Sequence, residues 1–272
     1  MNNKIAFIGA GNMNSAIILG LLNSGVSPQD IMVSNPSQEK RLALANQHGI
    51  EQTADNLEAA AFADTIVLGV KPHLIGHVCQ EMASAMDISD KCFVSVAAGC
   101  TVAQIQQALG GKFPVIRSMP NTPSQLGLGV SGLFASPEVD AEQKHNAEAL
   151  MKAVGIIKWL ETEAEIDHII AVSGSGPAYF FLFMEAMEKQ AKALGFSDEE
   201  SRQLVQQTAL GAAQMVVENP IPISQLRENV TSKGGTTQAA LNTFVEGGLP
   251  QLVTKAMNAA LHRAQEMAQN NG

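Results

Sequence analysis

Basic residues are in short supply in this 272-residue chain: 17 Lys and Arg stand against 26 Asp and Glu, for a net charge of -9. That balance excludes the broad basic face that a nucleic-acid partner requires, so any phosphate bound here must be held locally. Cysteine is equally sparse. Cys79, Cys92 and Cys100 are odd in number and lack C-x-x-C spacing, which argues against a disulfide framework or a zinc site and leaves them as small buried hydrophobes. There is no low-complexity block and no internal repeat, while 46% hydrophobic and 16% charged residues suffice for a packed core. No basic, apolar leader with a small-residue cleavage site opens the sequence. The longest aromatic run, Tyr179 to Phe183, is far shorter than a bilayer span. A cytoplasmic protein with no membrane partner is expected, with one large domain or two.

What is present begins at once. Lys4 to Ile8 is a short β-branched run, Gly9 and Gly11 allow a tight turn and close backbone approach, and Met13, Ile17 and Ile18 start a helical pattern. A strand that ends in such a turn and feeds a helix makes a pyrophosphate cradle, because the helix start directs free N–H groups and the positive end of its dipole at an anion. The third small residue of G-x-G-x-x-G is Asn14 here, a departure that predicts atypical packing of helix on strand.

Short apolar runs and helical patterns then alternate to about residue 160, as parallel βαβ units do. The strand candidates are Lys4–Ile8, Ile31–Ser34, Thr65–Val70, Cys92–Ala97 and Val115–Arg117, with Gly129–Phe134 and Ile156–Leu160 extending the sheet's edge. Helices begin near Asn12, Ser37, Asp55, Pro72 and Thr101. Ligands of such sheets lie outside the carboxyl ends of the strands, so each strand end is a candidate site. The second ends in Ser34-Asn35-Pro36-Ser37 with no acid to bind a ribose 2′-hydroxyl, and Arg41 and Lys40 follow, partly offset by Glu39; this favours NADP over NAD. Gly69-Val70-Lys71-Pro72 is either a helix start with an exposed lysine or a backbone contact to the cofactor's ribose. His73 and His77 lie one helical turn apart but lack a third ligand, so no metal is expected. Ala97-Ala98-Gly99 would let a cofactor lie against the backbone. Arg117 to Pro123 is too proline-rich to continue a central strand and reads either as a rigid loop at the sheet's ligand edge or as a plain turn.

Near residue 163 the alternation gives way to helices alone. One runs from Ser175, a candidate cap, through Leu194, and a second from about Asp198 to Glu218; their apolar residues cover more circumference than a surface helix needs. Burial against another copy of the chain is expected. Val230-Thr231-Ser232-Lys233-Gly234-Gly235-Thr236-Thr237 then places two glycines and four hydroxyls at a helix start, an anion site sized for one carboxylate.

Taken together, Ile8-Gly9-Ala10-Gly11-Asn12-Met13, Val70-Lys71-Pro72, Arg117 to Pro123, Gly174-Ser175-Gly176-Pro177-Ala178-Tyr179 and Thr231 to Thr237 resemble the pyrroline-5-carboxylate reductases, in that family's order and over nearly the whole chain. The resemblance implies an α/β fold: a Rossmann-type, mostly parallel sheet over 1–162, then an all-helical substrate and oligomerisation domain over 163–272. It implies reduction of 1-pyrroline-5-carboxylate to L-proline by NADPH, or by NADH, in a homo-oligomer that is a dimer or a higher assembly of dimers. The cofactor positions it implies are Ile8 to Met13, Ser34 with Asn35, Asn56, Gly69 to Pro72 and Ala97 to Gly99. The substrate positions are Ser232, Gly234, Gly235, Thr236 and Thr237, with the Thr237 hydroxyl nearest the imine nitrogen. The family often has Ala in place of Asn14 and Pro in place of Lys233.

Residue chemistry agrees with that reading. A protonated imine already accepts hydride well, so orientation, a carboxylate grip and a proton route suffice. An NADP-dependent hydroxyacid dehydrogenase of similar build would want a lysine or histidine base, yet the helix after Pro177 offers only Lys189, more than three turns in. Short-chain dehydrogenase chemistry would need a lysine where Phe183 follows Tyr179. A non-catalytic NADP-sensing protein would have no use for Thr231 to Thr237.

Overall fold

The computed structural model describes residues 4–270. Its first half is a sheet whose strands earn their burial by composition. The strands β1 (Ile5–Ile8), β2 (Ile31–Ser34), β4 (Thr65–Leu68) and β5 (Cys92–Ser95) are buried at every position, as expected of parallel strands covered on both faces. β3 (Glu51–Thr53) pairs on the outer side of β2. β6 (Val115–Met119), β7 (Gly129–Ala135) and β8 (Gly155–Trp159) complete the order β3-β2-β1-β4-β5-β6-β7-β8. All neighbours are parallel except β6 and β7.

Helices cover both faces. Ile5 and Phe7 point into a core filled by Ile17, Ile18 and Leu21 of α1 (Asn12–Asn23) and by Leu150 and Met151 of α6 (Ala141–Lys152). Ala6 and Ile8 point the other way, toward Ala59 and Ala60 of α3 (Asn56–Phe62), Ile75 and Met82 of α4 (Pro72–Ala85), and Ile105 of α5 (Val102–Leu109). The period-two alternation of β1 thus partitions the core into two layers. The remaining helix of this region, α2 (Gln38–His48), buries no side chain fully.

Two expectations need correction, on Arg117–Met119 and on Ser175, and two elements, β3 and α6, were not expected. Arg117-Ser118-Met119 does continue an interior strand, and its prolines fall just beyond it, Pro123 within the 3₁₀ turn Thr122–Leu126. The strand β3 escapes a reading by apolar runs because it is three residues long and polar. Helix α6 was signalled by the reciprocal bonds of Asp140 and Gln143, a capping box.

Beyond the sheet the chain is helical: α7 (Glu165–Ile169), a π-wound turn Ile170–Gly174, then α8 (Gly176–Ala193), α9 (Asp198–Glu218), α10 (Ile223–Asn229), α11 (Thr236–Glu246) and α12 (Leu249–Asn270). Ser175 does not cap α8. Its φ and ψ are helical, and its N–H donates to the Ile170 carbonyl at 2.8 Å, so winding passes through it. The resulting run Glu165–Ala193 is 29 residues, long and apolar enough by length and composition to cross a membrane, a feature that the short Tyr179–Phe183 run does not convey.

Two compact units result, Met1–Ser175 with Ala260–Gly272, and Gly176–Ala259. The second is poorly supplied with interior. Gly176, Ser201 and Val205 are its buried residues, whereas Phe180 is 72% exposed and Val217 76%. Within it Phe183 packs on Phe244 with ring centroids 5.8 Å apart.

The three cysteines are free and buried. Burial, with a smaller push from Cys100, raises the Cys79 thiol to about 12, and burial with Asp140 nearby does the same for Cys92. At pH 8 such a thiol is ionised in only about one molecule in ten thousand. An aromatic disulfide reagent at pH 8 should therefore leave Cys79 and Cys92 untouched in the native protein over hours, and titrate them within minutes in guanidinium.

Candidate active site

The strand ends of the first unit converge at the topological switch between β1 and β4, the usual ligand crevice of an open α/β sheet. Gly9 has φ +102°, and a Cβ there would lie 2.9 Å from the Gly69 carbonyl oxygen, so neither conformation nor space admits another residue. Gly11 differs. Its φ is -84°, and a Cβ would come no nearer than 3.9 Å to any heavy atom. The chain itself thus gives no reason for glycine at position 11. A ligand lying against that backbone would.

Helix α1 starts at this point with no side-chain cap. The N–H groups of Gly11, Asn12 and Met13 find no acceptor among the described residues. Three free donors at the positive end of a twelve-residue helix form an anion site that fits a dinucleotide's pyrophosphate.

Ser34, Asn35 and Asn56 meet at the end of β2. The buried Ser34 hydroxyl donates to Asn56 Oδ1, and Asn35 Oδ1 accepts from the Ala10 N–H at 3.2 Å. Arg41 folds back over this end: its Nε donates to Gln52 Oε1 at 2.7 Å and its Nη1 reaches the carbonyls of Asn35 at 3.3 Å and Pro36 at 3.4 Å. No carboxylate neutralises Arg41 among the described residues. Glu81 accepts from Asn56 Nδ2 at 3.5 Å. Val70, Lys71 and Pro72 open α4, whose first turn carries Pro72, and Cys100 donates from its sulfur to the Pro72 carbonyl at 3.6 Å. Ala97 and Gly99 are buried and Ala98 partly so, just past β5. His73 and His77 belong to no metal-binding group among the described residues.

A polar anchor that the sequence reading missed sits under this region. Arg117 is 3% exposed and donates to Glu163 Oε1 at 3.0 Å; the same oxygen accepts the Val102 N–H at 2.8 Å, at the start of α5. Burial raises the pKa of nearby Asp167, against the opposing pull of Arg117 and His168. Asn121 adds a second tie, donating to the Ser173 carbonyl at 2.9 Å and accepting the Val130 N–H at 2.9 Å. The Arg117–Pro123 stretch therefore fastens sheet to helix.

In the second unit, Gly235 caps α11 through its backbone alone, and Thr236 and Thr237 occupy the first turn, both exposed. Of the four backbone N–H groups of Gly234 to Thr237 at this helix start, two are already engaged. The Gly234 N–H goes to Gln238 Oε1 at 2.6 Å and the Gly235 N–H to the Ser232 carbonyl at 3.0 Å. Those of Thr236 and Thr237 find no acceptor among the described residues. Of the hydroxyls, Thr231 donates to the Arg227 carbonyl at 2.6 Å.

The sheet order and the glycine turn define a dinucleotide-binding oxidoreductase of the doubly wound α/β type. Residues 4–99 match the family described as NADP oxidoreductase, coenzyme F420-dependent, and residues 163–267 match pyrroline-5-carboxylate reductase dimerisation. The chain is 53% identical to the pyrroline-5-carboxylate reductase of Vibrio alginolyticus, over 97% of each, and 46% identical to that of Pseudomonas aeruginosa, over 99% of this chain and 98% of the relative. A solved pyrroline-5-carboxylate reductase from Coxiella burnetii superposes with a TM-score of 0.94 at 42% identity, over 98% of this chain and 99% of that one. The Plasmodium falciparum enzyme, solved with NADP bound, gives 0.86 at 29% identity over 98% of both. The chain belongs to the pyrroline-5-carboxylate reductase family.

The anchor yields a stability test. Glu163→Ala would strand the buried Arg117 charge and remove an acceptor from α5, costing about 2 kcal/mol, less than a fully buried pair because Glu163 is partly exposed. Glu163→Gln keeps an oxygen for Val102 and should lose roughly half of that, as read from urea denaturation.

Proposed function

We propose that this chain reduces 1-pyrroline-5-carboxylate to L-proline with NADPH, using the glycine turn for the cofactor and the Thr231–Thr237 loop for the substrate. The observation that carries the cofactor assignment is Gly11, a glycine with room for a side chain at the head of three unpaired N–H groups. When bound, NADPH supplies the hydride for the C=N carbon; the chain's own residues hold, orient and protonate. The N–H groups of Gly11 to Met13 take the pyrophosphate. Asn35, Asn56 and Arg41 surround the adenosine ribose, where a cation without a carboxylate partner favours a 2′-phosphate and hence NADPH over NADH. Gly69 to Pro72 and Ala97 to Gly99 border the remainder.

At α11 the free N–H groups of Thr236 and Thr237 grip the substrate carboxylate, helped by the helix dipole. Ser232, Gly234 and Gly235 shape that turn; Gly234 has φ +74°. The Thr237 hydroxyl donates to the imine nitrogen and relays a proton from water, so that one hydride and one proton complete the saturated ring. This needs neither metal nor covalent intermediate.

We further read the exposed apolar helices of the second unit as the surface of a homo-oligomer, a dimer or a higher assembly of dimers. The match of residues 163–267 to a dimerisation family supports this, and it accounts for the apolar run Glu165–Ala193 without a membrane. A cytoplasmic location accords with a soluble biosynthetic role.

Turnover tests the reading directly: NADPH oxidation should require pyrroline-5-carboxylate, a panel of 3-hydroxy acids should give no reduction of NADP, and a chain that binds NADPH without turnover would refute it. Gly11→Ala should keep the wild-type melting temperature within about 2 °C, since the site has room and an ordinary φ. Its KM for NADPH should nevertheless rise at least tenfold; an unchanged KM would remove the cofactor from that turn. Thr237→Val should lower kcat about a hundredfold, the usual scale of one positioned proton-transfer group, with the KM for NADPH unchanged. Wild-type kcat/KM in that variant would show that the hydroxyl has no such role.

A further inference from the structure

Asn14 occupies the position in the glycine turn that ordinarily takes Gly or Ala, and it is 1% exposed. Its Nδ2 donates to the carbonyl of Gly9 at 2.7 Å and, more weakly, to that of Ile8 at 3.3 Å. The next amide, the Ala10 N–H, donates to Asn35 Oδ1 at 3.2 Å. The peptide unit joining Gly9 to Ala10 is therefore gripped at both ends by asparagine side chains. The free N–H groups of Gly11, Asn12 and Met13 follow immediately.

Across the crevice stands Gly69. It is not among the glycines with positive φ, so backbone conformation does not call for glycine there. Space does. A Cβ on residue 69 would run into Cγ, Nδ2 and Oδ1 of Asn14. The amide of one residue fills the volume left by the missing methyl of the other. The two carbonyls fix which way the amide points, because only Nδ2 can donate to them. Oδ1 is left buried without a partner among the described residues. An unpaired buried acceptor is unfavourable, so the arrangement persists for what Nδ2 does rather than as inert filling.

We propose that Asn14 is a positioning residue for the dinucleotide and that it acts as a pair with Gly69: together they fix the Gly9–Ala10 peptide and so aim the donors of Gly11 to Met13. This rests on the glycine turn being the pyrophosphate site.

The test is a four-member cycle of wild type, Asn14→Ala, Gly69→Ala and the double variant. NADPH dissociation constants from nucleotide fluorescence, KM for both substrates, kcat and melting temperature are measured on each. Asn14→Ala should raise the Kd and KM for NADPH about fivefold, the scale of a lost hydrogen bond of this kind. Its kcat at saturating NADPH and its KM for pyrroline-5-carboxylate should stay within twofold of wild type. Gly69→Ala should be worse than Asn14→Ala in NADPH affinity, because the methyl displaces the amide from both carbonyls. The double variant should return to the level of Asn14→Ala.

A double variant no better than Gly69→Ala would overturn the pairing. So would a melting-temperature loss in Asn14→Ala with KM for NADPH unchanged, which is the mark of a purely structural residue. If Gly69→Ala fails to fold, the double variant decides: folding and binding like Asn14→Ala supports the pair, and failure to fold overturns it. Wild-type protein that binds no NADPH would refute the cofactor reading itself, whereas a normal wild type with a failed cycle refutes only the pair.

Discussion

The first unit depends on one close approach, that of β1 to β4. They run parallel in register from Ile5 opposite Thr65 to Ile8 opposite Leu68, and the chain then leaves both at the same end of the sheet. The Gly9 backbone meets the Gly69 carbonyl at a distance that leaves no room for a side chain on residue 9. Strands this close must be held level, and the two-sided core does so: Phe7 and Val67 anchor one layer, Ile8 and Leu68 the other. A crevice opens above them because the connections diverge. The anion-binding donors are there because the sheet puts a helix start at that point.

The helical unit obeys a different logic. It buries almost nothing of its own, and its largest apolar side chains face outward. Marginal stability in proteins is a small difference between large terms, and a unit without an interior cannot win that balance alone. In the homo-oligomer proposed above, cover over Phe180, Leu182 and Val217 would belong to the folding reaction as much as to assembly. The loop Thr231–Thr237 sits on this scaffold, so its geometry is tied to the same condition.

Much of this was legible in residue order, for identifiable reasons. The buried strands were visible because parallel strands covered on both faces must be continuously apolar; β3 was invisible because an edge strand has no such obligation. The glycine turn, the Ser34–Asn35 corner and the α11 start were visible because each pairs a backbone need with a residue type. The Arg117–Glu163 pair was not, since its partners are 46 residues apart and nothing local marks either one. Prolines misled at residues 117–123: Pro120 and Pro123 constrain the chain beyond the strand and leave the strand itself intact. At α11 the glycines and hydroxyls were apparent, but not that Gln238 occupies the Gly234 donor. Such an i to i+4 side-chain bond depends on a rotamer.

The fit of Asn14 against Gly69 also constrains how the chain could have come by it. With alanine at position 14, the three atoms that a methyl at position 69 would meet first are gone. Asparagine at 14 tolerates only glycine. A methyl at 69 and the amide at 14 thus exclude one another, so the amide fits only where that methyl is absent, and once it is in place a methyl cannot be added at 69 by itself. Position 69, silent in isolation, becomes a gate on what the glycine turn can hold at position 14.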